Sequence, residues 1–117
     1  VRQVSLANPE TLNNSARSVL MPKAYWVTFY REISNPEKLA AYAKLAAPAT
    51  TPFGAKYLAR GTAALAYESG QKDRVVITEF DSLEKAQAAH DSPAYQEAVR
   101  VLGDGAVRDV RIVEGME

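Results

Sequence analysis

The sequence predicts an α+β domain: a four-stranded antiparallel sheet with two helices on one face. Three observations carry this. Arg74-Val75-Val76-Ile77-Thr78-Glu79-Phe80 is an apolar run rich in β-branched residues, bounded by turn residues before it and a helix signal after it. Tyr25 to Tyr30 has the same character, and neither of its faces is plainly polar, so both need cover. Each run is followed by a helix start, at Ser34-Asn35-Pro36-Glu37 and at Asp81 with Glu84 three residues on.

Ala24 to Arg31 is the first strand, with Tyr25, Val27 and Phe29 on one face and Trp26, Thr28 and Tyr30 on the other. Asn35 can cap the first helix with Pro36 at its first position; Ser34 and Glu37 offer a competing capping box. Leu39, Tyr42, Ala43 and Ala46 form its apolar stripe, and Pro48 and Pro52 end or kink it. Lys56 to Arg60 reads as a short strand broken at Gly61 by a bulge or bend and resumed at Leu65 to Glu68. Ser69 to Asp73 is a hairpin loop into the central strand. Leu83, Ala86 and His90 share one face of the second helix, which restarts at Ser92-Pro93 and runs through Tyr95, Ala98 and Val99. Val107 to Val113 is the last strand, with Arg108, Val110 and Ile112 on one face.

Strand, helix, strand, strand, helix, strand is the split βαβ, or ferredoxin-like, order. Right-handed crossovers put both helices on one side of the sheet. The other side keeps apolar and aromatic residues, too many for a soluble monomer, which predicts a two-fold homodimer joined through the sheet faces.

At 117 residues the chain fits one domain. That domain is expected over 21–117. Residues 1–20 are polar and aperiodic and read as an extension outside the core: added or upstream sequence ahead of Met21-Pro22, or an arm packing on a neighbouring subunit. Lys and Arg total 14 and so do Asp and Glu, so there is no basic excess for generic nucleic-acid binding. With no cysteine, disulfides, thiolate metal sites and cysteine nucleophiles are excluded. No apolar run approaches the roughly 18 residues of a membrane span, and no secretory signal opens the chain. A cytoplasmic protein without membrane or nucleic-acid partners is the expectation.

Over about Lys23 to Gly115 the chain resembles the Domain of Unknown Function 1330 family of the dimeric α+β barrel superfamily. Its order and spacing of Ala24-Tyr25-Trp26-Val27, Asn35-Pro36-Glu37 with Tyr42, Lys56 to Gly61, Thr78 to Ala86, Ser92-Pro93-Ala94-Tyr95 and Val113-Glu114-Gly115 carry the resemblance. It implies the same fold and no agreed activity. Superfamily relatives include cofactor-free monooxygenases, small-lactone isomerases and haem-degrading enzymes, so fold alone assigns none of these. Ala89 stands where such proteins usually have a bulky aromatic, and Ala55 and Thr62 where they often have a second glycine. The smaller Ala89 is expected to enlarge any cavity beside the second helix.

His90, the only histidine, is a candidate general acid or base; the alternative is a half-buried histidine bonded to the loop. One histidine and no cysteine argue against a metal site. Tyr42 and Tyr95 come from the two helices and can share a cleft, binding a carbonyl or stabilising an enolate, or can pack in the core with hydroxyls satisfied locally. Arg60 can clamp a substrate carboxylate or pair with Glu68 or Glu79. Glu79, within the central strand, is a candidate substrate-binding or proton-transfer group unless Arg111 pairs with it. Trp26 and Tyr30 can line a flat apolar pocket or form core and interface. No phosphate loop or nucleophile elbow is present.

Two functions fit. One is a dimeric barrel with a small pocket per subunit, binding an organic molecule and carrying out proton transfer or oxygenation with no cofactor. The other is a non-catalytic dimer, a ligand-sensing or interaction module.

Overall fold

A computed structural model of the chain describes residues 22–116, so the extension expected over 1–20 lies outside the described residues. The elements are β1 (Ala24–Ile33), α1 (Pro36–Thr50), a 3-10 turn (Thr51–Phe53), β2 (Lys56–Thr62), β3 (Arg74–Phe80), α2 (Leu83–Asp91), α3 (Pro93–Leu102) and β4 (Ala106–Glu114). The strands form one antiparallel sheet in the order β2-β3-β1-β4, the ferredoxin-like arrangement.

Alternation along β1 sorts the sheet into two faces. Ala24, Trp26, Thr28 and Tyr30 are buried beneath the helices, and their cross-strand partners Phe80, Thr78 and Val76 on β3 share that face. Trp26, Tyr42, Phe80 and Tyr95 are the large aromatic members of the core, packed with the small residues Ala46, Ala86, Ala89 and Ala98. Tyr25, Val27, Phe29, Val75, Ile77 and Val113 share the opposite face by the same register. There Phe29 remains 40% and Val113 56% exposed. The apolar second face expected from the sequence is present.

Local signals set the helices. Asn35 caps α1, its side chain accepting from Lys38 N at 3.1 Å, while Ser34 Oγ donates to the Asp104 carbonyl. Pro48 does not end α1, which runs on to Thr50; the 3-10 turn holding Pro52 then closes at Gly54 with φ 88°, a left-handed position that suits glycine. The second helix begins one residue later than expected: Ser82, not Asp81, accepts from Lys85 N, and Asp81 faces Lys23 at 3.4 Å. It is also two helices. Ser92 adopts an extended ψ of 146°, ends α2 and caps α3, donating to Ala89 O and accepting from Tyr95 N.

Two strand expectations are corrected. Leu65 to Glu68 does not resume β2; pairing ends at Thr62 opposite Arg74, and Glu68 takes a left-handed φ of 53° in the connecting loop. The β2 bulge is not at Gly61. Tyr57 pairs with Thr78 and Ala59 with Ile77, leaving Leu58 as the extra residue.

The Gly105 carbonyl accepts from both Ser34 N (2.9 Å) and Asn35 N (3.0 Å), tying the start of α1 to the start of β4. A Cβ at this position would lie 2.8 Å from Lys38 Cβ and 3.0 Å from Leu102 O. Gly105→Ala is expected to destabilise the protein by about 1–3 kcal/mol through overpacking. Urea unfolding would show a lower midpoint at unchanged slope; an unchanged midpoint would mean the junction yields freely.

Candidate functional site

α1 turns mostly small side chains toward the sheet: Ala43, Ala46, Ala47 and Thr50. Opposite them stand Trp26, Thr28 and Tyr30 of β1, Val76 and Thr78 of β3, and Tyr57 of β2. Alanines do not span the gap, and a pocket of about 50 Å³ is left between α1 and the sheet, lined also by Tyr95 of α3. That is room for several waters or part of a small organic molecule. Among the described residues no carboxylate and no histidine lines it; its charged lining groups are Arg60 and Arg74.

The Leu58 bulge explains how β2 serves the pocket. Tyr57 and Arg60 are three apart, so strict alternation would send them to opposite faces. With Leu58 extra, Tyr57 pairs with Thr78 and Arg60 with Val76, both on the helix-covered face. Thr50 Oγ1 donates to Ala46 O at 3.0 Å and lies 3.1 Å from Tyr57 Oη, which fixes that ring against α1.

The polar centre is a pair of phenols. Tyr42 and Tyr95 are both buried, and their hydroxyl oxygens are 2.7 Å apart. Arg108 of β4 donates from Nη1 to Tyr42 Oη at 2.9 Å, with its guanidinium 4.8 Å from the Tyr42 ring centre. The pair owns two hydroxyl protons, and the bond between the oxygens uses one. Donation from Arg108 strengthens Tyr42 as a donor, so the cooperative order runs Arg108 to Tyr42 to Tyr95. The second proton, on Tyr95 in that order, is available to an acceptor in the pocket that both rings line. Burial, and then the neighbouring Tyr95, push the Tyr42 pKa well above the ordinary phenol value, against the pull of Arg108. Tyr42 is therefore a neutral donor at physiological pH and not a base. For Arg108, burial works against the charge, but the Tyr42 and Tyr95 oxygens outweigh it and its pKa is raised.

The residues singled out from the sequence divide as follows. Trp26, Tyr42, Arg60 and Tyr95 meet at the pocket. His90 does not line it. Its ring packs on the Trp26 and Tyr95 rings at 5.5 Å from each, and Nδ1 is 2.9 Å from Asp91 Oδ1. Gln96 Nε2 donates to the His90 carbonyl at 2.7 Å. This is the half-buried, locally bonded histidine. Glu79 is on the opposite face of the sheet. It accepts from Tyr25 Oη at 3.3 Å and lies 3.9 Å from Lys23 Nζ, so the expected partner Arg111 is replaced by Lys23 and Tyr25. Arg111 is engaged with Asp109 at 2.8 Å. Arg60 pairs with neither Glu68 nor Glu79 among the described residues and sits over the Tyr57 ring at 5.5 Å. Ala89 is fully buried and does not line the pocket, so its small size does not open a cavity there. Arg74 and Arg108 were not singled out, although each continues an alternation on the covered face: Arg74 with Val76 and Thr78, Arg108 with Val110 and Ile112.

The profile of the family described as Domain of unknown function (DUF1330) matches residues 23–116. Among proteins of curated function, none matches. Solved structures of the same fold include RPA0582 of Rhodopseudomonas palustris, a protein of unknown function, at 18% identity and TM-score 0.66, covering 91% of this chain and 95% of that one. A dimeric ferredoxin-like protein of unknown function from Thermobifida fusca aligns at 18% identity and TM-score 0.58, over 80% of this chain and 92% of its own. SnoaB of Streptomyces nogalater, a cofactor-independent oxygenase, aligns at 9% identity and TM-score 0.59, over 82% and 95%. At these identities the likeness is one of fold. Among the described residues no helix is long and apolar enough to cross a membrane.

Tyr42→Phe removes the acceptor of a part-buried guanidinium and is expected to cost about 1–3 kcal/mol near neutral pH. Because the folded-state pKa of Tyr42 is raised, its contribution is complete below the unfolded phenol pKa of about 10 and is lost as pH rises beyond it. The stability gap between wild type and Tyr42→Phe should therefore be constant from pH 7 to 9 and narrow above pH about 10. A gap that stays constant to pH 11 would show that Tyr42 ionises as readily folded as unfolded.

Proposed function

The chain belongs to the DUF1330 family, and from that starting point we propose that each subunit binds a small organic molecule through an acceptor oxygen, in the pocket between α1 and the sheet. The observation that carries this reading is the Arg108–Tyr42–Tyr95 chain of hydrogen bonds at the pocket wall, with one phenolic proton to spare. A bound carbonyl, enolate or phenolate oxygen would accept that proton in place of water, a net gain of about 0.5–1.5 kcal/mol for a neutral acceptor and more for a charged one. The same donor can assist a reaction in which negative charge develops on that oxygen. Proton transfer and oxygenation without a cofactor both pass through such an anion. SnoaB carries cofactor-independent oxygenation on this fold, and the link to the present chain is analogy of fold alone. In this reading Tyr95 is the hydrogen-bond donor, Tyr42 and Arg108 position and polarise it, Trp26 supplies an apolar wall, and His90, outside the lining, has no part in binding.

The non-catalytic reading has its own support: no carboxylate or imidazole among the described lining residues can take a proton. A thermal-shift screen of aromatic acids, lactones and quinols, followed by oxygen uptake and product analysis on the compounds that bind, separates the two. Binding with oxygen uptake or a changed product favours the enzyme; binding with neither favours the sensing module. For either, Tyr95→Phe is expected to weaken binding about ten-fold or more while His90→Ala leaves it nearly unchanged. Equal loss in both variants, or loss only in His90→Ala, would overturn the assignment of the donor.

We further propose that the protein is a homodimer joined through the second face of the sheet. Phe29, Val75, Ile77 and Val113 place apolar area there that no element among the described residues covers. Sedimentation at micromolar concentration should give twice the chain mass, and Ile77→Lys should give the single mass. A wild type that sediments as one chain would refute the dimer.

A further inference from the structure

We infer that the molecule bound in this pocket is a small organic carboxylate, its charge held by Arg60 and Arg74 at the β2–β3 end; the inference rests on the binding reading above. The six arginines between residues 22 and 116 divide evenly. Arg31, Arg100 and Arg111 each face a carboxylate, Asp109, Glu97 and Asp109 respectively. Arg60, Arg74 and Arg108 have no carboxylate partner among the described residues, and all three are at this one site: the first two line the pocket and the third bonds Tyr42.

Arg60 and Arg74 are held as a pair. Arg60 is opposite Val76 and Arg74 opposite Thr62, which makes the two arginines diagonal neighbours on the covered face, about 7–8 Å apart at Cα. Each guanidinium lies over an aromatic ring, Arg60 over Tyr57 at 5.5 Å and Arg74 over Tyr30 at 5.8 Å. A ring face attracts the cation without using its N–H groups, which stay available to a bidentate acceptor. Arg74 Nε is the buried side-chain polar atom that lacks a hydrogen-bond partner among the described residues. Two like charges beside an apolar cavity repel one another and gain most from a shared anion.

The anion is a carboxylate rather than a phosphate on the chemistry of the lining. Phosphate sites gather backbone N–H groups at a helix N-terminus or a glycine-rich turn. This lining contains no glycine, and α1 enters it only from Leu39 onward, a turn beyond its N-terminus. A flat carboxylate matches two guanidinium forks, and the aromatic and alanine walls suit an apolar body. A one-ring acid can set its carboxylate toward Arg60 and Arg74 with its ring against those walls.

Calorimetry on the full chain with benzoate, phenylacetate and salicylate, each beside its neutral amide, tests this. The acid is expected to bind at least about ten-fold tighter than its amide, as charge-assisted bonds require. The preference should shrink with added salt. It should fall to within two-fold in Arg74→Gln and in Arg60→Gln. The second variant lies on the edge strand and guards against a misfolded first. Amides that bind as tightly as acids, or a preference that survives both substitutions, would overturn the inference while leaving the binding reading standing, provided lactones or quinols still bind in a Tyr95-dependent way. If no compound of any class binds with dependence on Tyr95, the binding reading fails and the carboxylate inference falls with it.

Discussion

Tyr42 and Tyr95 meet oxygen to oxygen at 2.7 Å where α1 packs beside α3. Each ring is large enough to be worth burying, and each carries a hydroxyl that cannot be buried alone without cost. Pairing the two hydroxyls resolves that for both oxygens, and Arg108 reaches across from β4 to add a charged donor. Two helices and a sheet edge are thus fixed relative to one another by two hydrogen bonds. Three donors share this network, which leaves more protons than internal acceptors. The surplus is what turns a structural contact into a candidate binding group.

The pocket beside this pair exists because α1 is rich in alanine where it faces β3 and β2. Well-packed interiors fill such gaps with branched side chains. Here Ala43, Ala46 and Ala47 face Val76, Thr78 and Tyr57, and the distance between helix and sheet is set elsewhere, by Trp26, Tyr42 and Tyr95. Large residues at one end hold the layers apart, and small ones at the other leave room. The β2 bulge then brings two long side chains, Tyr57 and Arg60, to the pocket together.

Much of this was legible in the sequence. Two-residue alternation around Trp26 and Thr78 marks the covered face, and the Asn35-Pro36 and Ser92-Pro93 pairs mark helix starts by the conformations those residues favour. Tyr42 and Tyr95 emerge as partners from helix positions alone. The pocket chemistry was less legible, for identifiable reasons. A bulge depends on cross-strand register, and nothing in Lys56 to Thr62 marks Leu58 as the extra residue. Gly61 is the better bulge former on local grounds, but the hydrogen-bonding partner β3 decides. An imidazole is an acid–base candidate by residue type, yet the place of His90 at the end of α2 sets its ring against Trp26 and Tyr95 and outside the pocket lining. Glu79 follows strict alternation to the second face, opposite Phe80 in sense, so its position was available from the pattern even though its partners were not. Arg74 and Arg108 are ordinary arginines in sequence; they become notable only when the structure leaves them without acids.

The pocket and the apolar second face are built from the same strands at alternate residues. On β1, Trp26 and Thr28 look into the pocket layer while Val27 and Phe29 look outward; on β3, Val76 and Thr78 look inward while Val75 and Ile77 look outward. A one-residue slip in either pairing would exchange the two sets, sending Val27 and Ile77 under the helices and Trp26 into water. Burying Val75 and Ile77 against a second copy would therefore do more than remove apolar area from solvent. It would penalise the one-residue slips that turn Thr78, Val76 and Arg74 away from α1. In a protein this small, where one sheet carries both faces, covering the outer one would be a means of holding the inner one in place.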